Sequence, residues 1–198
     1  MGRRKLIEEM PPLGRVILAV LAAGSAGCAL FGGIYGCTGA PWALTPAITA
    51  GMLAYHAAIR LLAPVLLTAF TRRQYDCRSR WFRPKTWETR LYGLLRVKRW
   101  KGRAPTYNPQ EFSLERHTLE EVINSMCHAE AVHELIAAMS VLSLLFAVPF
   151  GAFWVFFTTG LLSALLDSAF AVIQRYNRPR LVRLAERRSR QRGYSQMT

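Results

Sequence analysis

Leu135 to Ile173, LIAAMSVLSLLFAVPFGAFWVFFTTGLLSALLDSAFAVI, decides the fold. It holds 39 residues and one ionisable side chain, Asp167. About 20 apolar residues cross the hydrocarbon of a bilayer, so the stretch is too long for one crossing and long enough for two short ones. A tight turn has to divide it. Val148-Pro149-Phe150-Gly151 is the first choice and Thr158 to Gly160 the second, and neither carries a charge. Spans three and four are therefore expected at about 135–148 and 152–173.

Two more spans precede them. Leu13 to Cys37 is apolar over more than one crossing length. Ser25-Ala26-Gly27-Cys28 faintly resembles a lipoprotein cleavage site, but the apolar run continues past it, so we expect a retained helix at 13–37. Its small residues Ala19, Ala23, Gly27, Gly32 and Gly36 suggest a ladder for close helix packing. Thr38 to Pro46 reads as a Gly/Pro turn with Trp42 at the interface. Ala47 to Phe70 is the second span, with His56 and Arg60 one helical turn apart on one face. Arg60 lies deep by count and needs a partner, a wet cavity or room to snorkel. Asp167 lies at similar depth in span four. The two are expected to form a buried ion pair, the alternative being separate snorkelling and a lone protonated Asp.

The charges set the topology. Of 26 Lys and Arg, four lie in the N-terminal stretch up to Arg15, 13 fall in the insert 71–134 and eight in the tail 174–198, Arg60 being the last. Both turns between spans have none. An all-α integral membrane protein results, with four transmembrane helices, a cytoplasmic helical insert between spans two and three, and both termini cytoplasmic. A net charge of +14 usually suggests nucleic acid. Here each basic block abuts an apolar span, so lipid head groups or phosphate-bearing substrates fit better, and no nucleic acid is expected. The residues set no oligomeric state.

Within the insert, Trp81 to Gly102 mixes cations with Trp81, Trp87, Leu91, Leu94, Leu95 and Trp100, and is expected to be a helix lying in the interface. Ala104 to Phe112 reads as a loop. Thr118-x-x-Glu121 is a capping box opening a helix that runs into span three. Pro179 is expected to end the fourth helix, and the tail from Ala185 to fray. Cys28, Cys37, Cys77 and Cys127 form no metal spacing and read as packing residues or free thiols.

Two clusters could carry chemistry. In His128-Ala129-Glu130-Ala131-Val132-His133-Glu134, Glu130 and His133 share a helix face. A carboxylate beside an imidazole makes a general base suited to a hydroxyl proton, although the same residues also suit a solvated helix end. His128 and His133 are five apart and not on one face, so no metal site is expected. Gln174 to Leu181, QRYNRPRL, places Arg175, Arg178 and Arg180 at the end of span four. Such a cluster suits phosphate or carboxylate, although charge alone favours an ordinary cytoplasmic anchor.

Three blocks in order resemble the glycosyl-4,4'-diaponeurosporenoate acyltransferases, small membrane enzymes of staphyloxanthin-type carotenoid synthesis. They are WFRPKTWETRLYGLLRVKRW with Lys101, the A-E-x-x-H of Ala129 to His133, and QRYNRPRL, together spanning roughly residues 75 to 185. The resemblance implies fatty acyl transfer to a sugar hydroxyl of a glycosylated carotenoid or another glycolipid. It makes Glu130 and His133 the leading catalytic pair. Arg175, Tyr176, Asn177, Arg178 and Arg180, with Lys98, Trp100 and Lys101, become candidates for holding a head group. His128 stands where a relative carries arginine and is given no catalytic role, and Lys101-Gly102 departs from a longer charged pattern there.

The reading is an O-acyltransferase of the cell membrane acting at the inner leaflet, with membrane lipids and a glycolipid acceptor as partners. No cofactor or metal is expected; acyl-CoA or acyl carrier protein would be the donor. A non-enzymatic lipid-binding scaffold or assembly partner is the alternative. A transferase using a polyprenyl or nucleotide phosphate donor is a third, though no acidic metal motif supports it.

Overall fold

A computed structural model describes residues 11–104 and 109–195, and among these the only regular elements are helices. Four stretches are long and apolar enough to cross a membrane: Pro12–Thr38, Pro41–Thr71, Leu119–Phe150 and Phe153–Gln191. In chain order the α-helices are α1 Pro12–Thr38, α2 Leu44–Thr71, α3 Thr86–Leu94, α4 Val97–Trp100, α5 Leu119–Leu142, α6 Ala147–Phe150 and α7 Phe153–Ser195.

Local chemistry explains most boundaries. Gly39 closes α1 in the left-handed region (φ 66°), and its N–H donates to the Tyr35 carbonyl at 2.8 Å. The following turn is shorter than Thr38 to Pro46, because Pro46 sits in the first turn of α2, where a missing N–H is harmless. At Thr118 the capping box is reciprocal. The Thr118 N–H donates to Glu121 Oε2 at 2.8 Å, and the Glu121 N–H to Thr118 Oγ1 at 3.3 Å. From there α5 runs out of the insert to Leu142 and continues as a 3-10 turn, Ser143–Phe146, into α6. Gly151 (φ 67°, ψ −140°) and Ala152 (φ 47°) then reverse the chain, at the first-choice turn. The backbone at Gly151 lies where only glycine is comfortable. Thr158 to Gly160 lie inside α7.

Several expectations are corrected. Pro179 does not end the fourth helix; α7 continues through it to Ser195, so the tail after Ala185 is helical as far as described. An internal proline costs roughly 3 kcal/mol. Here charge-assisted bonds from Arg175 and Arg178, immediately before it, hold the helix in place (described below). Trp81 to Gly102 is not one helix. It breaks at Arg96 (φ 49°) between α3 and α4 and ends in a 3-10 turn, Lys101–Arg103. In an unbroken helix Val97 would share the face of Leu94. The break lets Val97 be fully buried while Leu94 stays 81% exposed. The indole of Trp100 donates to the Leu95 carbonyl at 2.9 Å across the break. The loop expected from Ala104 contains a 3-10 turn, Pro109–Phe112, and its residues 105–108 lie outside the described residues. A further correction concerns the cysteines. Cys77 and Cys127 are joined, with Cα atoms 6.3 Å apart, and only Cys28 and Cys37 are free.

The chain divides into two compact units: Met1–Leu66 with Glu134–Asp167, and Leu67–His133 with Ser168–Thr198. In the first, the apolar parts of α1, α2, α5 and α7 pack through small residues. A Cβ on Gly24 would lie 2.8 Å from the Ala50 carbonyl oxygen, and one on Gly160 would lie 2.7 Å from that of Ser140. These glycines let backbones touch. Of the ladder expected on α1, Gly27 makes the contact and the other four do not. Ala19 and Ala23 are exposed, and Gly32 and Gly36 have nothing within 4 Å. The contact face carries Gly27, 3.1 Å from the Ala50 side chain by the same construction, and Gly24, which the ladder did not include.

A polar line runs through the same unit. Arg60 Nη2 donates to Asp167 Oδ2 at 2.5 Å and to Ser163 Oγ at 2.9 Å, and Nη1 to the His56 carbonyl at 2.8 Å. Ser163 and Ser140 hydroxyls meet at 2.8 Å, and the Tyr55 hydroxyl donates to the Met139 carbonyl at 2.9 Å. Among apolar helices such bonds fix which faces meet. Leu62, Val65, Leu145, Val148, Trp154 and Leu162 point outward, as side chains facing hydrocarbon should.

Candidate active site

The second unit contains His133, Glu130 and the QRYNRPRL block. Two carboxylates and two guanidiniums form its centre. Glu130 is fully buried on α5, and Glu88 is 2% exposed on α3. Arg178, 2% exposed on α7, donates from Nη1 to Glu130 Oε2 and from Nη2 to the Phe82 carbonyl, with its guanidinium 4.9 Å over the Phe82 ring. Arg175 Nε lies 3.2 Å from Glu130 Oε1 and 3.5 Å from Glu88 Oε1, and its Nη2 donates to the Trp81 carbonyl. The Tyr92 hydroxyl completes the set by donating to Glu88 Oε2 at 2.8 Å. Burial and the Glu88 bond raise the Tyr92 pKa, so the phenol stays a donor. Two negative and two positive charges cancel. A buried group of this kind is tolerable only when each charge is answered, and here each is.

The cluster holds α7 against α5 and the insert. Arg178 and Arg175, read from the sequence as head-group ligands, have the protein's own carboxylates and carbonyls as partners. Glu130 is shared between them. Nothing in local sequence marks Glu88 for this role, because its buried position follows from how α3 packs.

One turn beyond Glu130, the half-buried His133 ring stacks on Phe170 of α7, with centroids 5.0 Å apart and planes 20° apart. Stacking fixes the plane of the imidazole and leaves its edge nitrogens for hydrogen bonds. His128 points elsewhere. Its Nδ1 meets the Tyr75 hydroxyl at 3.0 Å, beside the Cys77–Cys127 link. No group of three potential metal ligands occurs among the described residues.

The remaining predicted ligands surround Tyr176. Arg180 lies 4.5 Å and Lys101 4.9 Å from its ring centroid, and Tyr92 meets it edge-on at 5.4 Å. Arg180 Nη2 donates to the Tyr176 hydroxyl at 2.7 Å, and Lys101 Nζ to Asn177 Oδ1 at 2.6 Å. Lys98 is exposed on α4, and Trp100 uses its N–H on Leu95. Tyr176, Arg178 and Arg180 line a cleft of about 860 Å³, and His133 is not among its lining residues. Also on its wall are Arg78, Arg83, Arg183 and Arg190, which the sequence reading did not select. Three of the cleft arginines, at 180, 183 and 190, recur at helical spacing. That signal was readable only if the helix was allowed to continue past Pro179.

The family model described as glycosyl-4,4'-diaponeurosporenoate acyltransferase matches residues 78–187. This region takes in the charge cluster, His133 and most of the cleft. Neither a curated protein nor a solved structure matches the chain.

Proposed function

Because the chain belongs to the glycosyl-4,4'-diaponeurosporenoate acyltransferase family, we propose that it is an O-acyltransferase moving a fatty acyl group from a thioester to a sugar hydroxyl of a glycosylated membrane lipid. The acceptor is a glycosyl carotenoid or another glycolipid. The observation that carries this reading is the placement, inside the matched region, of a ring-stacked histidine one helical turn from a carboxylate held by two QRYNRPRL arginines.

His133 acts as general base. It takes the proton of the sugar hydroxyl as the oxygen attacks the acyl carbonyl and the new C–O bond forms. The tetrahedral oxyanion collapses, the C–S bond breaks, and the leaving thiolate recovers the proton from the imidazolium. Glu130 is a positioning residue: held by Arg175 and Arg178, it fixes α5, and with it His133, against α7. Lys98, Lys101 and Arg180 supply positive charge for the oxyanion or the head group. No step requires a metal.

The protein sits in the cell membrane with both termini and the insert on the cytoplasmic side. The joined cysteines point the other way, since disulfides persist mainly in oxidising compartments. We give precedence to charge. All Lys and Arg except Arg60 lie in the three segments assigned to that side or, for Arg15, in the first turn of α1 beside one of them, and this bias dominates orientation. Outward-facing Trp87, Leu94 and Leu95 suit an insert resting on the membrane surface.

The test is acyl transfer by purified protein in lipid, using labelled acyl-CoA, a glycolipid panel, and wild type beside His133→Ala and His133→Gln. Transfer by wild type that both folded variants lose supports the base. Equal transfer by all three removes His133 from the chemistry. No transfer with any acceptor or thioester favours the lipid-binding scaffold.

A further inference from the structure

The cleft's arginines differ from those of the charge cluster in one respect that suggests a ligand. Arg78, Arg83, Arg180, Arg183 and Arg190 are all exposed, and among the described residues none forms an ion pair with a carboxylate. The hydrogen-bond partners of their guanidiniums are neutral, and Asp76 accepts only the Arg78 backbone N–H. Arg83 Nε donates to the Arg78 carbonyl at 2.8 Å, Arg183 Nε to the Pro179 carbonyl at 3.2 Å, and Arg180 to Tyr176. One acidic side chain, Glu186, is on the same wall. Five unanswered guanidiniums around one concavity repel each other and focus a positive field into it. Planar forks of this kind match phosphate oxygens two at a time.

Spacing narrows the ligand. Arg180 and Arg190 are ten residues apart on α7, so their backbone positions are separated by about 15 Å at 1.5 Å per residue. A single phosphodiester head group reaches one end of that row. A ligand with several phosphates on an extended body reaches both. The Tyr92 and Tyr176 rings in the wall give a heterocyclic base a surface to stack on. The cleft volume, about 860 Å³, is in the range of cofactor sites. We propose that this cleft binds the phosphorylated nucleotide end of a coenzyme A thioester, with Arg183 and Arg190 on its phosphates. The inference deepens the acyltransferase reading and rests on it for the thioester; the binding itself does not depend on transfer.

The experiment is equilibrium binding to the full chain in nanodiscs, with free coenzyme A, 3'-dephospho-coenzyme A and pantetheine as probes, in neutral and in anionic lipid. The variant is Arg183→Ala with Arg190→Ala, two exposed residues outside the charge cluster. Near-native circular dichroism and unchanged thermal unfolding establish that it is folded. Saturable coenzyme A binding is expected in both lipids, weakened several-fold without the 3'-phosphate, undetectable with pantetheine, and weakened at least tenfold in the double variant. Equal binding by the folded double variant, or no binding by wild type, overturns the proposal. Binding that anionic lipid abolishes also overturns it and makes the cleft a lipid head-group site. Binding without transfer to any acceptor leaves the site standing and removes the acyltransferase reading. Transfer from acyl carrier protein with no coenzyme A binding does the reverse.

Discussion

Arg178→Ala is the perturbation that tests the charge cluster most directly. Arg178 is 2% exposed, and Glu130, its partner, is fully buried. Removing the guanidinium leaves Arg175 alone facing both Glu130 and Glu88, at 3.2 and 3.5 Å, and takes the cluster from neutral to one net negative charge. Breaking a buried pair by deleting one partner costs about 3–5 kcal/mol. That is roughly a hundred- to several-thousand-fold in the ratio of folded to unfolded protein. Glu130→Ala leaves one net positive charge and is expected to cost a similar amount. The double variant keeps Arg175 with Glu88 and is neutral again, so it should cost less than the sum of the singles by about 2 kcal/mol or more. The assay is a double-mutant cycle read by unfolding in mixed micelles with increasing dodecyl sulfate, followed by tryptophan fluorescence. Additivity of the two singles to within about 0.5 kcal/mol would refute the pairing as the source of the stability.

Four further outcomes follow from the same structure. Gly24→Val should lower folded yield and cost about 1–3 kcal/mol by overpacking against Ala50 and Ala54, while Gly32→Ala, with open space around it, should be neutral or slightly stabilising; size-exclusion profiles and unfolding midpoints read both. Asp167→Ala should strip Arg60 of its charged partner and cost about 3–5 kcal/mol, while Arg60→Met with Asp167→Leu should recover most of it, measured by the same unfolding titration. Thr118→Ala should cost about 1 kcal/mol through the lost cap, without altering coenzyme A binding in nanodiscs. Maleimide labelling of denatured protein without reductant should modify Cys28 and Cys37 only, and mass spectrometry that finds all four modified would remove the Cys77–Cys127 link.

What could be read from the sequence depended on how far apart the cooperating groups lie. The capping box at Thr118 was legible because both partners sit within one helical turn and need no tertiary context. The span count and the turn at Gly151 were legible because bilayer thickness imposes a length on every crossing. Arg60 and Asp167 were legible as a pair, despite 107 residues between them, because depth in a membrane is a coordinate that sequence supplies. Pro179 misled because helix-breaking is a local preference, and bonds from Arg175 and Arg178 to other elements override it. Cys77 and Cys127 carry no spacing signal across 50 residues. Glu88 carries no local signal of burial, and only the packing of α3 shows it enclosed. At the site, His133 and Glu130 could be named from spacing and resemblance, but not that Glu130 would be held by arginines of the block expected to bind substrate.

The division of the arginines into two sets has a practical meaning for handling the protein. The neutral cluster at Glu130 is buried and its charges touch, so mobile ions barely reach it. The cleft arginines are exposed, and a screening length that falls from about 10 Å at 0.1 M salt to 3 Å at 1 M cuts sharply into their pull on an anion. Concentrated salt during purification should therefore wash out whatever the cleft carries from the cell and leave the helices where they were. Protein prepared gently, at low ionic strength, is the preparation in which a co-purifying phosphorylated molecule should be sought.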